Sequence, residues 1–386
     1  MNLRRIRKLL LAAAIVFVIG HYARSRPLSD FIEYWTAAHL FVVRQDPYSV
    51  FASFCIQRQL GWRDPVPLIF MVPPWALPII LPLGYAESYP NAWLAWVVLL
   101  AAAVVLSTRW LSSVYAVDQE FKKAQILLPF TFIPCLVCLK YAQIAPLLLL
   151  GAAGFLFFSS RKLPILAGMF LALTSFKPHL VYLVWLAVLF DAVRQRSWKV
   201  LTGAFSAIGL LTAVAAAIDH KVIGEYRESA RLFALYPSAG GAILRQAFAH
   251  NYALLQFVPP VFGLAWFIYY WQRHRRSWDW RQQMPLILAV SMLTTAYGWA
   301  FDDTLLVVVL LALFSRWAGR IPKGAILLFS ALNVALLVLL MLAVKIPTAA
   351  AIAFLLAPAV ALLFLYKTAY CAPNQPSVVV LPPGLA

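Results

Sequence analysis

The chain has 386 residues, of which 63% are hydrophobic and only 12% charged, with a formal net charge of +18. Soluble domains average about 25% charged residues, so the composition excludes a soluble globular protein and indicates a polytopic membrane chain. The charge would suggest nucleic acid in a soluble protein, but here the basic residues sit in short loops between apolar runs, as membrane topology demands, so nucleic acid is set aside as a partner.

In chain order, Met1–Lys8 is basic and Leu9–Gly20 is apolar. The short apolar core has the length of a signal peptide, but His21-Tyr22-Ala23 matches a cleavage site poorly, so an uncleaved first helix is expected. The stretch 23–90 is aromatic and broken by prolines, at Pro65-Val66-Pro67 and Pro73-Pro74-Trp75. It reads as an outer loop of short helices lying at the membrane interface. Near its start, Ser29-Asp30-Phe31-Ile32-Glu33-Tyr34-Trp35 puts a carboxylate just after the first hydrophobic segment, in a chain with only 14 acids. Asp30-x-x-Glu33 has the form of a helix capping box, a role compatible with facing a cavity. Asp46-Pro47-Tyr48 reads as a turn followed by a helix with proline at its first position.

Further apolar segments fall near 91–108, 124–139, 144–160, 163–176, 179–193, 200–218, 253–271, 284–300, 303–315, 324–344 and 346–366. With the first helix these make about twelve spans, an all-α membrane bundle in one domain, 1–370. Basic residues favour one set of loops, which places the N- and C-termini in the cytoplasm, with outer loops 23–90 and 219–252 roofing the bundle. The Pro-rich tail, 371–386, reads as disordered and cytoplasmic. Segments 163–176 and 179–193 are short and flanked by bases on both outer ends, so they read as an outward hairpin turning at Lys177-Pro178-His179. Segment 303–315 is short as well, which sets Asp302 and Asp303 low, in a hydrated pocket.

Lys177 beside a proline at membrane depth suggests an anionic partner, with snorkelling as the plain alternative. Lys140, Tyr141 and Gln143 belong to the preceding outer turn and are candidates to line the same site. In the second outer loop Arg227 and Arg231 share a helix face, which suits a phosphate and equally suits lipid headgroups. Arg245 and then His250-Asn251-Tyr252 follow at the membrane edge. The C-x-x-C formed by Cys135 and Cys138 lies in an apolar run and reads as two small packing residues. No phosphate-cradling glycine loop occurs. Asp302 and Asp303 are adjacent, so their side chains diverge on a helix, and no metal or other cofactor is expected. One outer carboxylate and several outer cations beside a membrane suit sugar transfer from a lipid phosphate: the phosphate leaves on cationic support, and the acceptor hydroxyl needs one base.

Taken together, Asp30-Phe31-Ile32-Glu33-Tyr34-Trp35-Thr36-Ala37-Ala38, Gln45-Asp46-Pro47-Tyr48, the stretch from Pro73-Pro74-Trp75 to Pro82-Leu83, Gln143-Ile144-Ala145-Pro146, Ala167-Gly168 and Lys177-Pro178 resemble glycosyltransferase family 87. That family comprises polyprenyl-phosphate-mannose-dependent mannosyltransferases with the GT-C membrane fold. Ala142 stands in the family's glycine position and Pro146 departs from its pattern. The resemblance implies a polyprenyl-phosphate sugar as donor, a glycolipid or glycan as acceptor, and a site on the outer face of a bacterial inner membrane. It implies Asp30 as general base, and Lys177, Arg227, Arg231 and Arg245 around the donor phosphate. Sugar and acceptor contacts would come from Glu33, Tyr34, Tyr48, Gln143, His250, Asn251, Asp302 and Asp303. Two rival classes remain: a lipid or solute transporter or flippase, to which the short spans near 177 and 303 point, and an oligosaccharide ligase using a lipid-diphosphate donor.

Overall fold

A computed structural model describes residues 28–115, 122–233, 253–316 and 323–370. The expected first helix, the tail 371–386, and Arg245, His250 and Asn251 lie outside the described residues. Among those described, the chain is helical throughout, with no strand.

The first outer segment folds into α1 (Phe31–Val42), α2 (Val50–Gln59) and, after a 3-10 turn at Pro74–Ala76, α3 (Leu77–Gly84). Helix α1 is enclosed by protein. Phe31, Ile32, Tyr34, Ala37, Ala38 and Phe41 have no exposed area, because α1 is mostly apolar and is enclosed by α2, α3 and α4. The proline expectation at 47 shifts. Helix α2 starts at Val50, capped by Ser49, whose hydroxyl accepts from the Ala52 N–H at 3.2 Å, while Asp46 Oδ1 accepts from the Tyr48 N–H at 2.8 Å to close the turn before it.

Next comes α4 (Tyr89–Val114), followed by α5 (Lys122–Leu127), α6 (Ile133–Tyr141), α7 (Ala145–Ser160) and α8 (Pro164–Leu171). Two 3-10 turns, Ala172–Phe176 and Pro178–Val181, flank Lys177 and lead into α9 (Tyr182–Gln195), then α10 (Lys199–Ile218) and α11 (Val222–Phe233). The last part runs through α12 (Val258–His274), α13 (Trp280–Leu293), a 3-10 segment at Ala300–Leu306, α14 (Val307–Arg316), α15 (Lys323–Leu342) and α16 (Pro347–Tyr370).

Five stretches among the described residues are long and apolar enough to cross a membrane: Tyr89–Val114, Lys199–Ile218, Leu254–Ser277, Gly324–Leu342 and Thr348–Tyr366. They coincide with expected spans, whereas the other expected spans among the described residues are shorter or interrupted. The segment near 124–139, for example, divides into α5, a 3-10 turn at Leu128–Thr131 and α6, broken at Pro129 and Pro134. Large apolar side chains stay exposed along the long helices, among them Phe205 on α10, Phe262 on α12 and Leu327 on α15, as expected for surfaces facing lipid.

The tightest packing joins α8 to α10 and α4 to α7. A Cβ at Gly168 would collide with the Val200 carbonyl, and one at Gly203 with the Ile165 carbonyl. The two helices therefore meet backbone to backbone, as small residues allow in a bilayer. Cys135 and Cys138 are free thiols buried in the bundle, which bears out their reading as packing residues. At one end of the bundle, Asp191 on α9 accepts from Arg194 at 2.6 Å and from the Trp280 indole at 2.9 Å, tying α9 to α13.

Candidate active site

Four chain breaks converge at the other end of the bundle: the start of α1, the α6–α7 break, the turn between α8 and α9, and the 3-10 segment before α14. Each break frees one polar side chain from helix geometry.

Asp30 opens α1 but its carboxylate makes no capping hydrogen bond. Instead Asp30 Oδ2 accepts from Gln143 Nε2 at 3.0 Å, across 113 residues of sequence. Gln143 Oε1 in turn accepts from the Tyr34 hydroxyl at 2.8 Å. Gln143 sits where α6 ends and α7 begins. Its neighbour Ala142 holds a left-handed backbone, φ 55°, ψ 41°, and closes α6. The Ala142 carbonyl is fixed by the Trp96 indole N–H at 2.9 Å. A left-handed residue at this point explains why a glycine suits the position.

Burial raises the Asp30 pKa, opposed in part by the Gln143 hydrogen bond and the Lys177 charge. Glu33, one turn on, is pushed up to about 8, by burial first and by the neighbouring Asp30 charge second.

Lys177 stands between its two 3-10 turns, and its Nζ donates to Asp302 Oδ1 at 2.7 Å. The lysine side chain is 12% exposed and the aspartate not at all. Asp302 Oδ2 also accepts from the Trp299 backbone N–H at 3.1 Å, and Lys177 Nζ lies 5.0 Å from the centre of the Phe301 ring. The expected hydrated pocket around Asp302 and Asp303 is thus corrected. The segment that carries them is enclosed by α6, α7 and α16, and the desolvation of Asp302 is offset by an ammonium and a backbone donor rather than by solvent. Asp303 points away, as adjacency predicts; it is fully buried, and neither oxygen has a hydrogen-bond partner among the described residues.

The expected site residues divide on this geometry. Asp30, Glu33, Tyr34, Gln143, Lys177 and Asp302 form one cluster, in which the Lys177 charge reaches both Asp30 and Glu33. Tyr34 is fully buried and Gln143 is 5% exposed, with their polar ends turned to each other, to Asp30 and to Glu33. Tyr48 lies elsewhere. Its hydroxyl donates to the Val72 carbonyl at 3.0 Å, its ring packs on Phe70 and Tyr226, and its charged neighbours are Asp46 and Glu225. Arg227 and Arg231 are exposed on α11, and neither joins an ion pair among the described residues.

Sequence reasoning missed the aromatic wall beside Lys177. The Trp299 indole donates to the Tyr297 hydroxyl at 2.6 Å, Trp299 and Phe301 stack at 6.3 Å, and Tyr297 meets the His179 ring edge-on. The alternation Tyr297-Gly298-Trp299-Ala300-Phe301, directly before two aspartates, was the available signal. Trp75 adds a tie from the first outer segment, its indole donating to Ser175 Oγ at 2.8 Å just before Lys177.

The sequence model of glycosyltransferase family 87 matches residues 70–302. The match contains Gln143, Lys177 and Asp302, and Asp30 precedes it. No curated protein and no solved structure matches the chain.

Proposed function

We propose, for a chain that belongs to glycosyltransferase family 87 and is thereby a membrane glycosyltransferase, that Asp30 is the general base of an inverting transfer from a polyprenyl-phosphate sugar. The sugar is mannose, the acceptor is a glycolipid or glycan hydroxyl, and the bundle is a GT-C fold working on the outer face of a bacterial inner membrane. The hydroxyl proton passes to Asp30 as the acceptor oxygen bonds to the anomeric carbon. The bond from that carbon to the donor phosphate oxygen breaks, and its electron pair leaves with the phosphate. The departing phosphate gains a charge, which the Lys177 ammonium offsets. Two of the three ammonium protons remain to meet it after the Asp302 bond.

The observation that carries this reading is the Asp30 carboxylate. It heads a helix yet does not cap it, and turns instead to Gln143 and towards the Lys177 charge. Burial raises its pKa, which strengthens it as a base, while the Gln143 hydrogen bond and the Lys177 charge favour its ionised form. Arg227, Arg231 and Arg245 are candidates for the lipid phosphate, and His250 and Asn251 for the acceptor, whereas the buried Tyr48, its hydroxyl bonded to the Val72 carbonyl, is not. The scheme requires no metal, so EDTA should leave turnover intact; complete loss would overturn that part.

The test is sugar transfer by purified wild type and Asp30→Asn from radiolabelled polyprenyl-phosphate mannose to a panel of membrane glycolipids. The variant should lose about 10²–10⁴-fold in turnover with donor binding kept. Turnover close to wild type would remove Asp30 as base. Transfer from a lipid-diphosphate oligosaccharide instead would favour the ligase class, and donor bound and carried across vesicles without transfer would favour a flippase.

A further inference from the structure

The Asp30–Gln143–Tyr34 chain does something that helix packing alone does not require. A glutamine amide has two ends of nearly equal shape, and only one of them helps a carboxylate. With its oxygen towards Asp30, Gln143 would repel the base; with its nitrogen there, it holds one carboxylate oxygen and leaves the other free.

We propose that Gln143 is the positioning residue of Asp30, and that the Tyr34 hydroxyl, by donating to the amide oxygen, holds the nitrogen end of the amide against the carboxylate. The inference rests on Asp30 being the base. An ionised Asp30 carboxylate only accepts, so it takes the Nε2 end of the amide, at Oδ2 and 3.0 Å, and the Tyr34 hydroxyl, donating to Oε1 at 2.8 Å, holds the amide in that orientation. Neither group is free to turn to solvent, since Tyr34 is fully buried and Gln143 is 5% exposed. The backbone of Gln143 is fixed as well. Its N–H donates to the Cys138 carbonyl at 3.0 Å, and its own carbonyl takes the Cys138 thiol at 3.4 Å. The residue before it is locked in the left-handed conformation under Trp96. These anchored contacts together aim one amide proton at one oxygen. Asp30 Oδ1 is left to take the acceptor proton, with the carboxylate plane set before substrate arrives.

The remaining polar and charged groups around Asp30 come from three elements. Glu33 lies on α1 itself, the Tyr89 hydroxyl comes from α4 and accepts from the Ser29 N–H at 3.4 Å, and Lys177 comes from the turn between α8 and α9. Of these Lys177, together with Gln143, favours the ionised form. Removing Gln143 should therefore make Asp30 harder to ionise.

The experiment is the pH profile of kcat/KM for wild type, Gln143→Leu and Tyr34→Phe, measured with Asp30→Asn in the same preparation. Gln143→Leu should move the acid limb up by about one pH unit and cut kcat about 10–100-fold, with donor KM within about twofold. Tyr34→Phe, which loses one oxygen and keeps its packing, should shift the limb in the same direction by less. An acid limb that stays put in both variants, whatever their stability, would overturn the positioning role. If Gln143→Leu does not fold, the limb in Tyr34→Phe decides alone: a shift supports the positioning role and an unmoved limb overturns it. Wild-type turnover in Asp30→Asn would overturn the base and the inference together, whereas an inactive Asp30→Asn beside an unmoved limb overturns the inference only.

Discussion

The Lys177–Asp302 pair gives a quantitative test of the site's electrostatics, because its two partners are unequally buried. Lys177→Met leaves the Asp302 carboxylate in a place with no exposed area, holding one backbone hydrogen bond from Trp299. A stranded buried charge costs about 3–5 kcal/mol, and the prediction for Lys177→Met lies in that range. Asp302→Asn strands an ammonium that is 12% exposed and lies over the Phe301 ring. Partial solvent and the ring face lower the penalty to about 1–3 kcal/mol. The double variant leaves no charge behind and should be more stable than the sum of the single losses predicts, with a coupling of about 2–4 kcal/mol. Denaturant titration of the four proteins in one detergent measures this. A coupling below about 0.5 kcal/mol would refute the claim that the pair is a desolvated unit. The same four proteins test the donor site, because a lipid phosphate that uses the free ammonium protons should stabilise wild type by mass action. It should stabilise Asp302→Asn more strongly, and both lysine variants far less. Equal stabilisation of all four would take Lys177 out of the phosphate site.

Three further outcomes follow from single residues. Glu33 is raised to about 8 in the folded chain against 4.5 in a free side chain, so the stability its proton supplies is full below the lower value and is lost as pH rises through the upper one. Glu33→Gln should thus gain roughly 1–3 kcal/mol over wild type between about pH 5 and pH 9; a difference independent of pH would refute the buried-acid assignment. Ala142 holds a left-handed backbone, and Ala142→Gly should stabilise the chain by about 0.5–1 kcal/mol, with a loss of stability in melting experiments counting against that conformation. Gly203→Val should destabilise by about 1–3 kcal/mol or more, since the new side chain meets the Ile165 carbonyl. Unchanged stability there would mean that α8 and α10 are not in backbone contact.

Much of the architecture was legible because apolar run length and proline position act locally. The long helices α4, α10, α12, α15 and α16 fall where apolar runs predict them. What local reading could not supply was the depth at which short helices sit. Helix α1 is apolar enough for an interface, yet whether it meets lipid or protein depends on α3 and α4 closing over it. That closure uses Gly84, whose missing side chain lets α3 approach the Ala38 carbonyl. A glycine in an apolar run does not reveal from sequence which helix it admits.

The site divides in the same way, and Asp30 shows why. As sequence, Asp30-x-x-Glu33 offered two roles with the same residues, a reciprocal cap or a carboxylate facing a cavity. Only a partner 113 residues away decides between them. That partner is aimed by the α6–α7 break, whose cue in the sequence was faint: Ala142 where a glycine fits. The ion pair was hidden for a different reason. Lys177 and Asp302 were each recognised as unusual charges at membrane depth, and each was assigned a ligand. Their distance in sequence concealed that each meets the other first, at 2.7 Å. In a medium that solvates ions poorly, two such charges of opposite sign, both freed from helix geometry at the same end of a bundle, lower their common desolvation cost by pairing. A phosphate entering this site would therefore meet a lysine already in place beside its aspartate. Its hold on that lysine is set by competition with Asp302, which is the quantity the four-protein comparison measures.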